Sequence, residues 1–313
     1  MRDCALGIDT SNYTTSLALV DRQMQVLANI KIPLSVKEGE RGLRQSDAVF
    51  AHVKNLPLAF EELKKHLEGC TVSAVGVSAR PRNQAGSYMP CFLSGVSAAN
   101  AVAATLGVPL YEWSHQCAHI MAAVLGADAL SLLESPFGAF HVSGGTTELV
   151  TAKLGERGFD ATVVGGSLDL HAGQVIDRIG VMLGLKFPCG AALEALAAEN
   201  EQKIPRKRVA AEGCYVHLSG LENMAADLYR KTADVRLTAA FVFDYVGASL
   251  ESMADAFVAE HGDMPLVFGG GVMSSHLLRA RLAEGRKAFF APPALSSDNA
   301  VGVAALTARK FFS

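Results

Sequence analysis

One local pattern occurs twice in this chain and limits its folds more than any other feature. Residues 4–20, CALGIDTSNYTTSLALV, read as two short apolar strands around a small polar turn. Residues 138–152, GAFHVSGGTTELVTA, repeat that design. Each half also closes alike. The first carries VSAVGVSAR, a glycine-bearing loop, an Ala-rich helix over 93–106, a strand near Val108–Tyr111 and a helix opening at Ser114. The second carries PLVFGGG, a helix over 274–284, a strand near Ala288–Ala291 and a last helix over about 299–312 behind Ser296-Ser297-Asp298-Asn299. Two such halves predict a duplicated α/β chain with a ligand held between two lobes, the alternative being one doubly wound sheet. The expected division is 1–133 and 134–313, with the last helix returning to the first lobe.

Composition narrows the class. Half of the 313 residues are apolar and 19% are charged, which leaves a sizeable core and excludes disorder and collagen-like repeats. The balance of 28 Lys and Arg against 31 Asp and Glu gives a net charge of −3. A nucleic-acid site must therefore be a local patch, and Lys203-Ile-Pro-Arg206-Lys207-Arg208 is the densest positive run. The six cysteines are scattered without a C-x-x-C pair and read as buried thiols of a reducing compartment. The start MRDCALGID does not read as a signal peptide, so none is expected. The charge-free stretch between Arg82 and Glu112 is interrupted by Ser94, Ser97, Asn100 and Thr105, so a buried helix is expected there, not a membrane span. The expectation is a soluble, cytoplasmic protein.

Three clusters carry chemistry. Tight turns without bulky Cβ groups let backbone N–H groups and hydroxyls converge on an anion. Asp9-Thr10-Ser11, Ser143-Gly144-Gly145-Thr146-Thr147 and Gly269-Gly270-Gly271 qualify, although none is a P-loop. Together they suggest an ATP site. In the second cluster, Ser167 reads as the N-cap of a helix whose Asp169, Gly173 and Asp177 share one face. Two carboxylates so placed suit a ribose hydroxyl or a bridging magnesium ion; the plainer alternative is a solvated acidic face. The third is His115-Gln116-Cys117-Ala118-His119, two imidazoles at i and i+4 on one helical face. Position 116 is Gln where a metalloprotease needs a Glu base, so protease chemistry is disfavoured. Asp298, in the matching loop of the second half, would complete a two-His, one-Asp set suited to iron or zinc.

GIDTS, VSGG-T, SLD-HAG-VIDR, HLSGL, GGGV and SSDNA stand in the order and spacing of the TsaD/Gcp family, which the chain resembles over essentially its whole length. These are tRNA adenosine threonylcarbamoyltransferases, formerly described as glycoproteases. The resemblance implies an actin/Hsp70-like (ASKHA) two-lobed fold and metal ligation by His115, His119 and Asp298. It also implies a threonylcarbamoyl-adenylate held at Ser143, Gly144, Gly145, Asp177 and Gly190. Thr146, Asp169, Gly270, Gly271 and Ser275 complete the expected nucleotide or substrate set, with Asp9 and Ser11 as candidate catalytic groups.

The departures from the family pattern are equally specific. Tyr13 and Thr14 replace an acidic pair, Thr146 a His, Glu222 a Lys, Ser275 an Asn and Cys189 a Gly. Ala79-Arg80-Pro81-Arg82 replaces A-G-P-G, and the segment NQAGSYM follows as an insertion. They mark a divergent paralogue. Three functions stay open: a metal- and nucleotide-dependent threonylcarbamoyl or carbamoyl transferase, a non-catalytic homodimer or heterodimer with a tRNA-modification protein, and a small-molecule kinase of the same superfamily.

Overall fold

β1 (Arg2–Asp9) and β2 (Thr14–Asp21) form the expected antiparallel hairpin in the computed structural model, which describes residues 1–11, 13–35, 43–204 and 208–313. The chain divides into two units. One comprises Met1–Leu130, Leu154–Asp160 and Ser297–Ser313, and the other Ser131–Lys153 and Ala161–Ser296.

In the first unit β3 (Val26–Pro33), α1 (Gln45–Lys64), β4 (Cys70–Arg80), α2 (Phe92–Leu106), β5 (Leu110–Ser114) and α3 (His115–Gly126) follow the hairpin. The sheet order is β3-β2-β1-β4-β5, with β1, β4 and β5 parallel. Alternation along the strands sends Leu6, Ile8, Leu17 and Leu19 into one buried core with Leu56, Ala59 and Leu63 of α1 and Ala99 and Ala103 of α2. The opposite face carries glycines where a helix must come close. A Cβ on Gly7 or Gly76 would stand within 3 Å of the C-terminal helix, Val301–Phe312. Trp113 Nε1 donates to Thr307 Oγ1 of that helix at 2.9 Å. Ser114 caps α3 by accepting from the Cys117 N–H, an arrangement that contributes about 1 kcal/mol.

The second unit contains β6 (Phe137–Val142), β7 (Thr147–Gly155), β8 (Gly158–Ser167), α4 (Ala172–Met182), α5 (Gly190–Ala198), β9 (Ala210–Glu212) and β10 (Tyr215–His217). There follow α6 (Ser219–Thr232), α7 (Val235–His261), β11 (Leu266–Gly269), α8 (His276–Ala283), β12 (Ala288–Phe290) and a single turn, α9 (Pro293–Ser296). Its sheet runs β12-β11-β6-β7-β8-β10-β9. The run β8-β7-β6-β11-β12 repeats β3-β2-β1-β4-β5 element for element, with the same antiparallel hairpin and the same parallel pairs. This is the duplication expected from the two sequence halves.

Two expectations need correction. Ser167 does not cap a helix: it ends β8, whose run is extended when the Leu168 N–H donates to Val216 O. Helix α4 starts at Ala172, with His171 at the cap position. Asp169 therefore lies outside the helix and shares no face with Gly173 and Asp177. The parallel β8–β10 ladder claims the segment before helix geometry can. The helix expected over 274–284 begins at His276, because Gly271–Ser274 forms a 3₁₀ turn first. Among the described residues all six cysteines are free thiols, and no helix is long and apolar enough to cross a membrane.

Candidate functional site

The parallel strands of the first unit end together, and the space beyond the carboxyl ends of such strands is where α/β folds gather ligand groups. Asp9 ends β1, and Ser114 ends β5 and starts α3, so His115 and His119 project from its first two turns. Asp298 precedes the C-terminal helix, where Asn299 Oδ1 accepts from the Val301 N–H. Folding brings the three expected metal ligands together. His115 Nε2 and His119 Nε2 are 2.8 Å apart, and Asp298 Oδ1 lies 3.2 Å from His119 Nε2 and 3.6 Å from His115 Nε2.

Asp9 acts on this set through His115. Its Oδ2 stands 2.8 Å from His115 Nδ1, and its Oδ1 accepts from the Ser11 N–H at 2.7 Å. Ser78 Oγ donates to Oδ2 at 3.1 Å. A carboxylate only accepts, so Nδ1 carries a proton, and once Nε2 gives up its own proton to a ligated ion its lone pair faces His119 and Asp298. Asp9 is fully buried. Burial opposes its charge, but the charge and hydrogen bond of His115 prevail and hold its carboxyl below the ordinary range. Burial likewise opposes protonation of His115. Asp9 beside it, with hydrogen bonds to Asp298 and Asp9, pushes its pKa up to about 10. Asp298 is desolvated yet held well below the usual carboxylate range by hydrogen bonds to His115 and His119.

The donor chemistry fits one first-row metal ion. Two imidazole nitrogens and a carboxylate oxygen lie within 4.8 Å of one another. Donors about 2.0–2.2 Å from a shared ion stand about 3 Å apart, as these do. The Asp9–His115 bond is the outer support that metal-bound His residues ordinarily have.

In the second unit the Ser143–Thr147 turn joins β6 to β7. Gly144 and Gly145 are exposed, and a Cβ on either would meet nothing within 4 Å. The turn partly satisfies itself: Ser143 Oγ accepts from Thr146 N–H at 3.1 Å and Gly145 N–H at 3.4 Å. Helix α4 is seated on it, with Gly173 N–H donating to Ser143 O and Ala172 N–H to Thr147 Oγ1. That seat requires glycine at 173, where a Cβ would lie 2.7 Å from Gly144 N.

Several of the other expected site residues also make contacts that hold the fold. Asp169 Oδ1 accepts from the N–H groups of Leu218 and Ser219, and its Oδ2 from Ser219 Oγ, which pins the start of α6. Partial burial opposes its charge, but these bonds outweigh that and lower its pKa. Asp177 Oδ1 accepts from the Cys189 N–H at the start of α5. Burial pushes the Asp177 carboxyl up. Ser275 caps α8 by accepting from Leu278 N–H and donates to Glu194 Oε1 at 2.7 Å. Gly270, at φ 96°, is required by its own strand neighbour, since a Cβ there would lie 2.2 Å from Val142 O. Gly190 and Gly271 leave open space at the Cβ position. Ser11 Oγ is buried without a hydrogen-bond partner.

Several departures from the family pattern are accommodated locally. Glu222 pairs with Arg178 at 3.2 Å. Asn83, from the insertion, donates to Cys117 Sγ and to Arg157 O. Of the basic run, Arg206 and Lys207 lie outside the described residues. Ser78 and Lys31, both beside the metal set, were not anticipated, because only strand register places them there.

The family model for TsaD, tRNA N6-adenosine threonylcarbamoyltransferase, matches residues 25–305. A protein of that name from Streptococcus suis is 30% identical over 97% of this chain and 90% of its own length. One from Geotalea uraniireducens is 31% identical over 96% and 89%. Among solved structures, T. kodakarensis HypF is similar with a TM-score of 0.58 at 12% identity, covering 98% of this chain and 47% of that one. A ROK family glucokinase from Streptomyces griseus gives 0.51 at 15%, covering 98% and 99%. These structural likenesses carry the α/β, actin/Hsp70-like fold, and the sequence matches carry the family. The chain belongs to the tRNA N6-adenosine threonylcarbamoyltransferase family.

Proposed function

We propose that this protein is a metal-dependent transferase that passes a threonylcarbamoyl group from an acyl-adenylate to adenosine of tRNA. The observation that carries the reading is the convergence of His115, His119 and Asp298 with Asp9 holding the His115 tautomer. Those three residues would hold iron or zinc, and a bound ion of this kind supplies Lewis-acid polarisation of a carbonyl. Asp9 keeps His115 oriented, and burial of the carboxylate keeps that orientation from relaxing into solvent. ATP or the adenylate, with magnesium where a triphosphate is bound, would place its phosphate against Gly144 and Gly145, whose open surface admits it. Lys203, Arg206, Lys207 and Arg208 are the proposed tRNA contacts, made to phosphate and therefore weakened by salt.

The test offers threonylcarbamoyl-adenylate and unmodified tRNA to the metal-loaded protein and looks for threonylcarbamoyladenosine by nucleoside mass spectrometry. Product is expected, and it should fall off steeply as salt is raised. Its absence from a protein that binds metal and tRNA would favour the second reading, a non-catalytic paralogue. That reading draws on Tyr13 and Thr14 standing where the family pattern has acids, and on the exposed Phe50, Val53 and Leu58 of α1 as a surface for a second copy or another tRNA-modification protein.

The phosphate turn has its own test. Gly145→Val puts branched methyls into the space the phosphate would use, and that space is empty of protein atoms. Calorimetric affinity for an adenine nucleotide should fall at least about tenfold, as expected for lost charge-assisted bonds, with an unchanged melting temperature. Unchanged affinity would move the nucleotide away from this turn.

A further inference from the structure

Lys31 stands beside the metal set for reasons that lie in strand register. Asp9 pairs with Ser16 across β1 and β2, and Ser16 pairs with Lys31 across β2 and β3. Residues directly opposite in an antiparallel ladder project from the same face, so Asp9, Ser16 and Lys31 form one rung. That is the face from which Asp9 reaches His115. At the far end of the rung Lys31 Nζ donates to Ser297 Oγ at 3.0 Å, and Ser297 adjoins Asp298. The half-buried Lys31 thus flanks the His115, His119 and Asp298 set on its Asp298 side.

The charges of this group have a consequence. Asp9 and Asp298 between them balance a divalent ion, and both imidazoles are neutral when they ligate. The ammonium of Lys31 then adds positive charge to the loaded site. With the ion balanced by the two carboxylates, the group is left with the net positive charge of the Lys31 ammonium, which attracts an anion. A neutral ligand leaves that charge uncompensated, whereas a carboxylate or phosphate oxygen offsets it.

We propose that Lys31 is a positioning residue that draws an anionic oxygen of the ligand, carboxylate or phosphate, to the His115, His119 and Asp298 centre. The proposal rests on the metal reading above and adds a residue that selects for charge. Lysine suits the task because its ammonium is a mobile point charge on a flexible stem and can serve Ser297 and a ligand oxygen in turn.

The experiment loads the full chain with Co²⁺ and follows the visible cobalt bands while acetate or inorganic phosphate is added. Parent, Lys31→Met, Lys31→Gln and Lys31→Arg are compared, with metal content measured for each. All four should hold the same cobalt. Lys31→Met and Lys31→Gln should bind the better of the two anions at least about tenfold more weakly than the parent, and Lys31→Arg within a few-fold of it. Tighter acetate binding by the parent assigns the subsite to carboxylate, and tighter phosphate binding assigns it to phosphate. Lys31→Gln keeps a donor toward Ser297, so it separates lost charge from lost structure should Lys31→Met fold poorly. Cobalt bound normally, with parent-like anion affinity in the uncharged variants, overturns the role of Lys31 alone. No cobalt in the parent overturns the metal reading, and this proposal with it.

Discussion

His115→Ala/His119→Ala protein should leave purification without metal, where the parent should carry about one equivalent of iron or zinc. Loss of two of three protein donors leaves only Asp298, and a single carboxylate does not retain a first-row ion through dialysis. Added metal should raise the melting temperature of the parent and not of the variant, since ligand that binds only the folded state contributes about 2.7 kcal/mol at a hundred times its dissociation constant. The double variant has a second cost. Among the described residues, removing His115 leaves the fully buried Asp9 side chain with the Ser11 N–H and Ser78 hydroxyl as partners, and stripping one partner from a buried charge costs about 3–5 kcal/mol. His119→Ala alone spares the Asp9–His115 bond and should lose most of the metal at near-parent stability. Metal retained in both variants would remove these residues from the site.

The second large effect is expected at a residue that is itself no ligand, Gly302. A Cβ there would lie 1.8 Å from Ala118 O and 2.6 Å from Ala118 C, both backbone atoms of α3. Backbone inside a packed helix pair has little room to yield, so Gly302→Val must push the C-terminal helix off α3. A loss of about 4 kcal/mol or more is expected, which lowers the melting temperature by roughly 8–16 °C. Metal should go with it, because α3 carries both His ligands and Asp298 sits just before the displaced helix. Gly302→Ala should act in the same direction, since the clash begins at Cβ. Thermal denaturation and metal analysis on the same samples check both. Parent-like values for Gly302→Val would mean that the two helices do not approach this closely.

Both expectations concern one unit, and the departures from the family pattern find partners locally. The insertion is tied down by Asn83 through Cys117 and Arg157, and the reversed charge at Glu222 finds Arg178. Each of these contacts closes within its own unit. Tyr13 is exposed and Thr14 starts β2, so the lost acidic pair leaves no buried vacancy for the fold to repair.

What the chain declares by itself is what short-range geometry controls. Alternating apolar residues around Ser-Gly-Gly-Thr-Thr or Asp-Thr-Ser specify hairpins, because side chains alternate along a strand and small polar residues permit the turn. His115 and His119 share a face because a helix returns after about 3.6 residues, and Ser114 caps that helix because its hydroxyl meets an N–H three residues on. Repetition of the same order of elements exposed the duplication before any strand was paired. Asp169 does not join the α4 face that its spacing suggests, because its Oδ1 accepts from the Leu218 and Ser219 N–H groups 49 and 50 residues away. Asp9 finds His115 at a separation of 106 residues, Lys31 finds Ser297 at 266, and Gly302 meets Ala118 through helix packing alone. Local sequence decides which face a side chain takes, but only the pairing of strands and the close approach of helices decides what stands opposite it.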